Sequence, residues 1–289
     1  MTLGAGVSRY YRRKIVNYAG QALAIACLIA AIVPLGAMIA YVLQQGGSAL
    51  NLDFFTKLPQ PTGVSGGGMA QAIVGTIYLI LLASLIGLPI GLLSGIYLAR
   101  TTSIRFARSV RFFTDVIAGT PSIVAGVVAY ALVVLPTGTF SAPAGAVALA
   151  ILMFPTVTRA TEETIRLVPA TIREAALALG IPEWKAMFRI ILPAAANGIV
   201  TAIMLGIARV AGETAPLYLT ILGNSGYNWK LTGPVAALPV QIWQYAQQPY
   251  ADLHRQAWAG AFVLFALVVA LNLSARLLTY RLRRTTGTA

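Results

Sequence analysis

The sequence predicts an all-α, polytopic membrane protein with six transmembrane helices and both termini in the cytoplasm. Three observations carry that prediction. The 289 residues are 58% hydrophobic and only 10% charged, with a mean hydropathy of +0.77, values that a water-soluble core of this size does not produce. A bilayer core roughly 30 Å thick asks for about 20 consecutive apolar residues per helix. Six such runs fall at about 20–43, 73–98, 112–135, 143–158, 198–222 and 256–280. Finally, 17 of the 21 basic residues fall on one side of those runs: Arg9, Arg12, Arg13, Lys14; Arg100, Arg105, Arg108, Arg111; Arg159, Arg166, Arg173, Lys185, Arg189; and Arg276, Arg281, Arg283, Arg284. Only Lys57, Lys230 and Arg255 fall on the other side, so the positive-inside rule orients the chain.

The runs must be helices, because in hydrocarbon every backbone amide has to be satisfied within its own segment and these stretches lack the alternation of a barrel strand. The first, Gly20 to Leu43, is longer than the apolar region of a cleavable signal and reads as a retained anchor helix. Its Cys27 is the chain's single cysteine, which excludes an internal disulfide and reads as a small packing residue. An outer loop from Gln44 to Gly68, rich in Gly, Pro and Ser, leads into the second span. There Gly87, Gly91 and Gly95 place a smooth stripe on one face for the close approach of another helix. The third span opens with Thr114 and Asp115 and continues through Gly119-Thr120-Pro121-Ser122, which suits either a cap and kink at the membrane edge or a functional site. The fourth is short and carries Pro155.

Between the fourth and fifth spans lies a polar-faced insert with the spacing E-A-A, three residues, G, nine residues, I-x-L-P, formed by Glu174, Ala175, Ala176, Gly180, Ile190, Leu192 and Pro193. Thr171 and Glu174 form a capping-box pattern, Gly180 suits a left-handed C-terminal position, and Pro182 suits the first turn of a second helix. Trp184, Met187, Phe188 and Ile191 then recur at helical spacing as one apolar face. This EAA motif resembles the cytoplasmic coupling loop of ABC importer permeases. The resemblance implies docking on a separate ATPase, and the chain has no G-x-x-x-x-G-K-[ST] loop to hold nucleotide itself.

The fifth span contains Arg209 and Glu213, four residues apart and so on one face if the helix is continuous. An Arg at mid-helix costs about 2.5–3.5 kcal/mol on insertion scales, so it either pairs with Glu213 or lines a wet path, where its planar fork suits a phosphate oxyanion. The run A-R-x-x-G-E-T-A-P at 208–216, with L-V-P-x-x-x-R-E-A-A-x-A-L-G at 167–180 and A-G-T-P-S-I-V-A-G at 118–126, resembles the A-type permease of phosphate-specific transport systems, over about residues 60–289.

That resemblance implies the MetI-like fold of type I ABC importer permeases, residues 1–60 forming the N-terminal segment, first helix and outer loop, and 61–289 the permease core with a coupling loop at 159–197. It further implies a translocation path holding Arg209, Glu213, Thr214, Asp115, Thr120 and Ser122. The implied partners are a paired C-type permease, an ATPase dimer, an extracytoplasmic phosphate-binding protein, inorganic phosphate and the lipid bilayer of a prokaryotic inner membrane. ATP and Mg would be bound by the ATPase, this chain holding no cofactor or metal. His-dependent triads and H-E-x-x-H zinc sites are excluded because His254 is the only histidine, expected in an outer loop. Topology accounts for the net charge of +13 without a nucleic-acid partner. A permease for sulfate or an amino acid would keep the EAA segment but need not keep Arg209, whereas a channel or membrane enzyme would need neither.

Overall fold

The computed structural model describes residues 3–286 apart from Ser65, Thr102, Trp229 and Leu231. Among these residues the only β pairing is an isolated bridge between Leu222 and Val235, and the rest is helix or connection. Five helices are long and apolar enough to cross a bilayer, and a sixth crossing comes from a bent pair.

Helix α1 (Leu3–Ala49) is one uninterrupted rod with Pro34 inside it. It packs on the last helix near its outer end, where Tyr41 meets the Trp258 ring edge-on at 4.9 Å and Gly46 lies against the Trp258 carbonyl. From residue 9 to 38 α1 is uncovered, and Cys27 is exposed rather than packed as the sequence suggested. The outer connection forms α2 (Leu52–Thr56), capped by the Asn51 side chain accepting from the Phe54 amide at 2.8 Å.

The core is built on α3 (Ala70–Arg100) and α6 (Ala142–Arg166). Gly87 faces Met153, Gly91 faces Val157 and Gly95 faces Thr161, so the two helices run parallel with the glycine stripe as their seam. A Cβ on Gly91 would stand 2.8 Å from that of Val157, which makes the stripe obligatory for this approach. Helix α6 is the most buried of the spans and extends past the expected end at residue 158, because its inner turns keep a helical polar pattern through Arg166.

The third span departs from expectation. Instead of one helix over 112–135, α4 (Ile104–Gly119) and α5 (Ser122–Thr137) meet at a 104° bend. Pro121 lacks an amide and biases Thr120 away from helix, and Thr120 is indeed extended at ψ 136°. Helix α5 passes through a π turn, Tyr130–Val134, just before Pro136. A second π turn, Met187–Ile191, precedes Pro193. Each lets the chain re-register before a ring that would clash with the carbonyl four residues back.

The EAA segment forms α7 (Ala170–Ala178), then turns at Gly180 (φ 73°). The Gly180 amide donates to the Leu177 carbonyl and that of Ile181 to Ala176, a Schellman closure. The capping box is not formed. Pro169 occupies the N-cap and Thr171 lies inside the first turn, where its hydroxyl cannot reach the helix start. Beyond Pro182, α8 (Glu183–Ala211) carries the second half of the insert and the fifth span as one continuous helix. It ends at Ala211 rather than near 222, with Gly212 at its C-cap. A single turn α9 (Ala215–Tyr218), an irregular segment and α10 (Leu238–Ala246) follow on the outer side. Helix α11 (Ala251–Thr286) returns the chain to the basic side, beginning early enough to place exposed His254 on its first turn and not in a loop. The side chains of Arg276, Arg281, Arg283 and Arg284 lie outside those described.

Candidate functional site

Two surfaces concentrate the polar and exposed groups that a membrane helix bundle would otherwise exclude. The first is the elbow of α7 and α8 at the inner end. Met187 and Ile191 turn inward and pack with Ile165 and Ala195 against Ile96 and Ala99 of α3. Trp184 and Phe188 turn outward, 57% and 55% exposed, beside Leu179 at 80%. The apolar stripe read from the sequence is therefore divided, half anchoring the elbow and half left as a knob. Ala176 is buried, while Glu174, Ala175 and Gly180 remain on the surface. In the closing I-x-L-P, Ile190 belongs to the π turn, Leu192 packs on the anchoring cluster and Pro193 opens the α-helical stretch beyond.

Charge holds this elbow in shape. Glu183 receives Arg100 from the end of α3 at 3.0 Å and Arg173 from α7 at 2.5 Å. The Arg100 guanidinium, and then that of Arg173, hold the Glu183 carboxyl below the usual carboxylate range. Glu183 lies in the elbow, before the apolar part of α8.

The second surface is a polar stripe on α6. Thr156, Arg159 and Glu163 stand at i, i+3 and i+7, on the side facing away from the α3 seam. At its head the Arg209 Nη1 donates to Thr156 Oγ1 at 2.9 Å. One turn inward Arg159 pairs with Asp115 of α4. Asp115 is thus a lateral tie between α4 and α6.

Of the two alternatives open to Arg209, the ion pair with Glu213 is absent among the described residues. Helix α8 stops at Ala211, and the Glu213 amide closes a turn on the Val210 carbonyl at 3.2 Å, so Glu213 no longer continues the face that carries Arg209. Thr214 precedes α9 without capping it. Thr120 and Ser122 flank the α4–α5 bend, with the Thr120 hydroxyl returned to the Val116 carbonyl at 2.7 Å. Gly126 of α5 contacts Pro216 of α9, so the broken third span and the broken end of the fifth lie on neighbouring segments. Thr156 and Arg159 were missed in the sequence. Their signal was present as polar residues at helical spacing after Pro155.

An arginine exposed on the face of a membrane helix, with nothing among the described residues covering it, is costly against lipid. Arg209 and Arg159 therefore require either water or a second protein beside them. Their guanidiniums make only a few of the hydrogen bonds open to them, leaving donors for an oxyanion. On the outer side a cavity of about 580 Å³ opens between the two outer segments, lined by uncharged groups that include Gln71, Asn224, Gln241, Gln244 and Tyr245. Among the described residues no cluster of His, Cys, Asp and Glu could hold a metal ion.

Residues 87–286 match the family described as binding-protein-dependent transport system inner membrane component. The phosphate transport system permease protein PstA of Xylella fastidiosa (strain Temecula1) is 41% identical over 277 residues, covering 94% of this chain and 95% of that protein. PstA of Haemophilus influenzae is 40% identical over 270 residues, with 93% and 95% covered. A solved bacterial alginate ABC transporter shares the fold, with a TM-score of 0.64 at 15% identity over 95% of this chain and 97% of its own. The MetNI methionine ABC transporter in an inward-facing form gives a TM-score of 0.58 at 20% identity, covering 73% and 92%. Family match, near-full-length identity and shared fold agree: the chain belongs to the binding-protein-dependent transport system inner membrane components and, among them, to the PstA family of permease proteins.

Proposed function

We propose that this chain is the membrane-spanning permease subunit of an ATP-driven importer of inorganic phosphate in a prokaryotic inner membrane. The observation that carries the reading is Arg209, held by Thr156 at the head of an exposed polar stripe and free of any carboxylate partner among the described residues. A fixed guanidinium in a low-dielectric setting binds phosphate oxygens through paired N–H groups. The names of the relatives support phosphate as the solute.

In this reading a C-type permease closes the path opposite the stripe of Thr156, Arg159 and Glu163, and shields it from lipid. Phosphate delivered by an extracytoplasmic binding protein enters from the side of the 580 Å³ cavity. It passes Thr214, Glu213, Thr120 and Ser122 at the two helix breaks and is handed from Arg209 toward Arg159, which Asp115 holds in place from α4. The exposed knob of Trp184, Phe188 and Leu179 seats in an ATPase dimer, which binds ATP and Mg and does the only covalent chemistry.

Competition in cells that depend on this transporter tests the solute. Uptake of labelled phosphate should fall with excess unlabelled phosphate and stay unchanged with excess sulfate or amino acids. Inhibition by sulfate equal to that by phosphate would assign the path to another oxyanion.

A further inference from the structure

Away from the proposed path, the inner ends of three spans meet at one carboxylate. Glu162 of α6 is only 6% exposed. Its Oε1 accepts from Arg111 Nε of α4 at 2.9 Å and lies 2.8 Å from Arg166 Nη2 of α6. Both arginines also donate to the Leu98 carbonyl in the last turn of α3, at 3.3 and 3.5 Å. That carbonyl is at a helix end that lacks intrahelical partners, where cations are favoured. One buried acid therefore fastens α3, α4 and α6 together.

This knot has two outlets. Two residues beyond Leu98, Arg100 reaches Glu183, which also holds Arg173, so the end of α3 is tied to both halves of the elbow. In the other direction Arg111 sits on α4 one turn before Asp115, and α4 leads to the bend at Thr120 and Pro121. Beyond the bend, α5 rests on α9, just past the helix that carries Arg209.

We propose that Glu162 is a positioning residue for coupling, making the inner ends of α3, α4 and α6 move as one body with the elbow so that its displacement reaches the α4–α5 bend. The inference rests on the ATP-driven permease reading above. The Glu162 carboxylate meets Arg111 and Arg166, neither of which belongs to the proposed path or to the exposed knob. Losing its charge leaves two guanidiniums side by side without their shared anion, which loosens α4 from α6 while the apolar seam with α3 persists.

The test uses the complete complex, with its second permease, ATPase and binding protein, in proteoliposomes, reading phosphate accumulated per ATP hydrolysed. Glu162→Gln should lower that ratio by about tenfold, within the usual range for coupling between distant sites, at parental recovery of the complex. Glu162→Asp should restore part of it. An unchanged ratio in Glu162→Gln, or uptake and hydrolysis falling together, would overturn the inference and leave Glu162 a structural tie. Should Glu162→Gln fail to assemble, Arg111→Gln removes one tie while Arg166 still neutralises the acid, and an unchanged ratio there overturns it equally. Absence of ATP-dependent uptake by the parental complex would instead refute the transport reading itself.

Discussion

Arg209 and Gly91 show what single residues decide here. Arg209 donates to Thr156 and stands apart from Glu213, so its charge is balanced by no acid in this chain among the described residues. Arg209→Gln should reduce phosphate uptake by at least about tenfold with the complex still assembled, since a buried-site charge contact is worth a few kcal/mol. Arg209→Lys should recover little, because a point charge lacks the planar fork. Adding Glu213→Gln should not restore transport; full recovery in the double variant would show a structural ion pair instead. Gly91 is legible for a different reason. A Cβ there would press on Val157, so Gly91→Ala should destabilise the protein by about 1–3 kcal/mol through overpacking. Gly36→Ala in α1, where nothing lies within 4 Å of an added Cβ, is the matched control and should not lower thermal stability in detergent. Arg209 was readable because a charge inside an apolar run stands out. The alternative that it pairs with Glu213 fails because the apolar pattern runs on past Gly212, where the backbone stops being helical.

At the scale of elements, the elbow is the part that must leave the membrane and meet something else. Its first helix, the turn at Gly180 and the start of the second were all legible, since a left-handed glycine and a following proline are local punctuation. Periodicity could not divide the Trp184, Met187, Phe188, Ile191 stripe between inside and outside, because that depends on where α3 and α6 end. The division predicts that Trp184→Ala and Phe188→Ala each weaken ATPase retention by about 2 kcal/mol, as aromatic anchors do at interfaces, without changing membrane abundance. Co-purification of the ATPase at graded salt and detergent washes reads this. Equal retention would move the docking surface elsewhere. The bend in the third span was legible only in part, since Gly119-Thr120-Pro121-Ser122 allowed a kink while the span over 112–135 still read as one helix. Hydropathy summed over 112–135 is high on both sides of Pro121, and a window average does not register a 104° change of direction.

At the scale of the whole molecule, six crossings follow from apolar length and the orientation from the distribution of basic charge, both properties summed over many residues and so robust to local error. A cysteine at Asn228 should react with an impermeant reagent added outside sealed, right-side-out cells, and one at Lys185 should not; labelling at Lys185 would invert the topology. The same scale explains the long uncovered face of α1 and the exposed polar stripe of α6, since a permease of this family is one part of an assembly. In the proposed function this chain carries phosphate only as part of that assembly and only when ATP is spent. Phosphate accumulation in proteoliposomes holding the two permeases and the ATPase, with binding protein outside, tests it most directly. Accumulation against a gradient that requires both ATP and the binding protein is the predicted result, and phosphate entry that proceeds equally without ATP would contradict it.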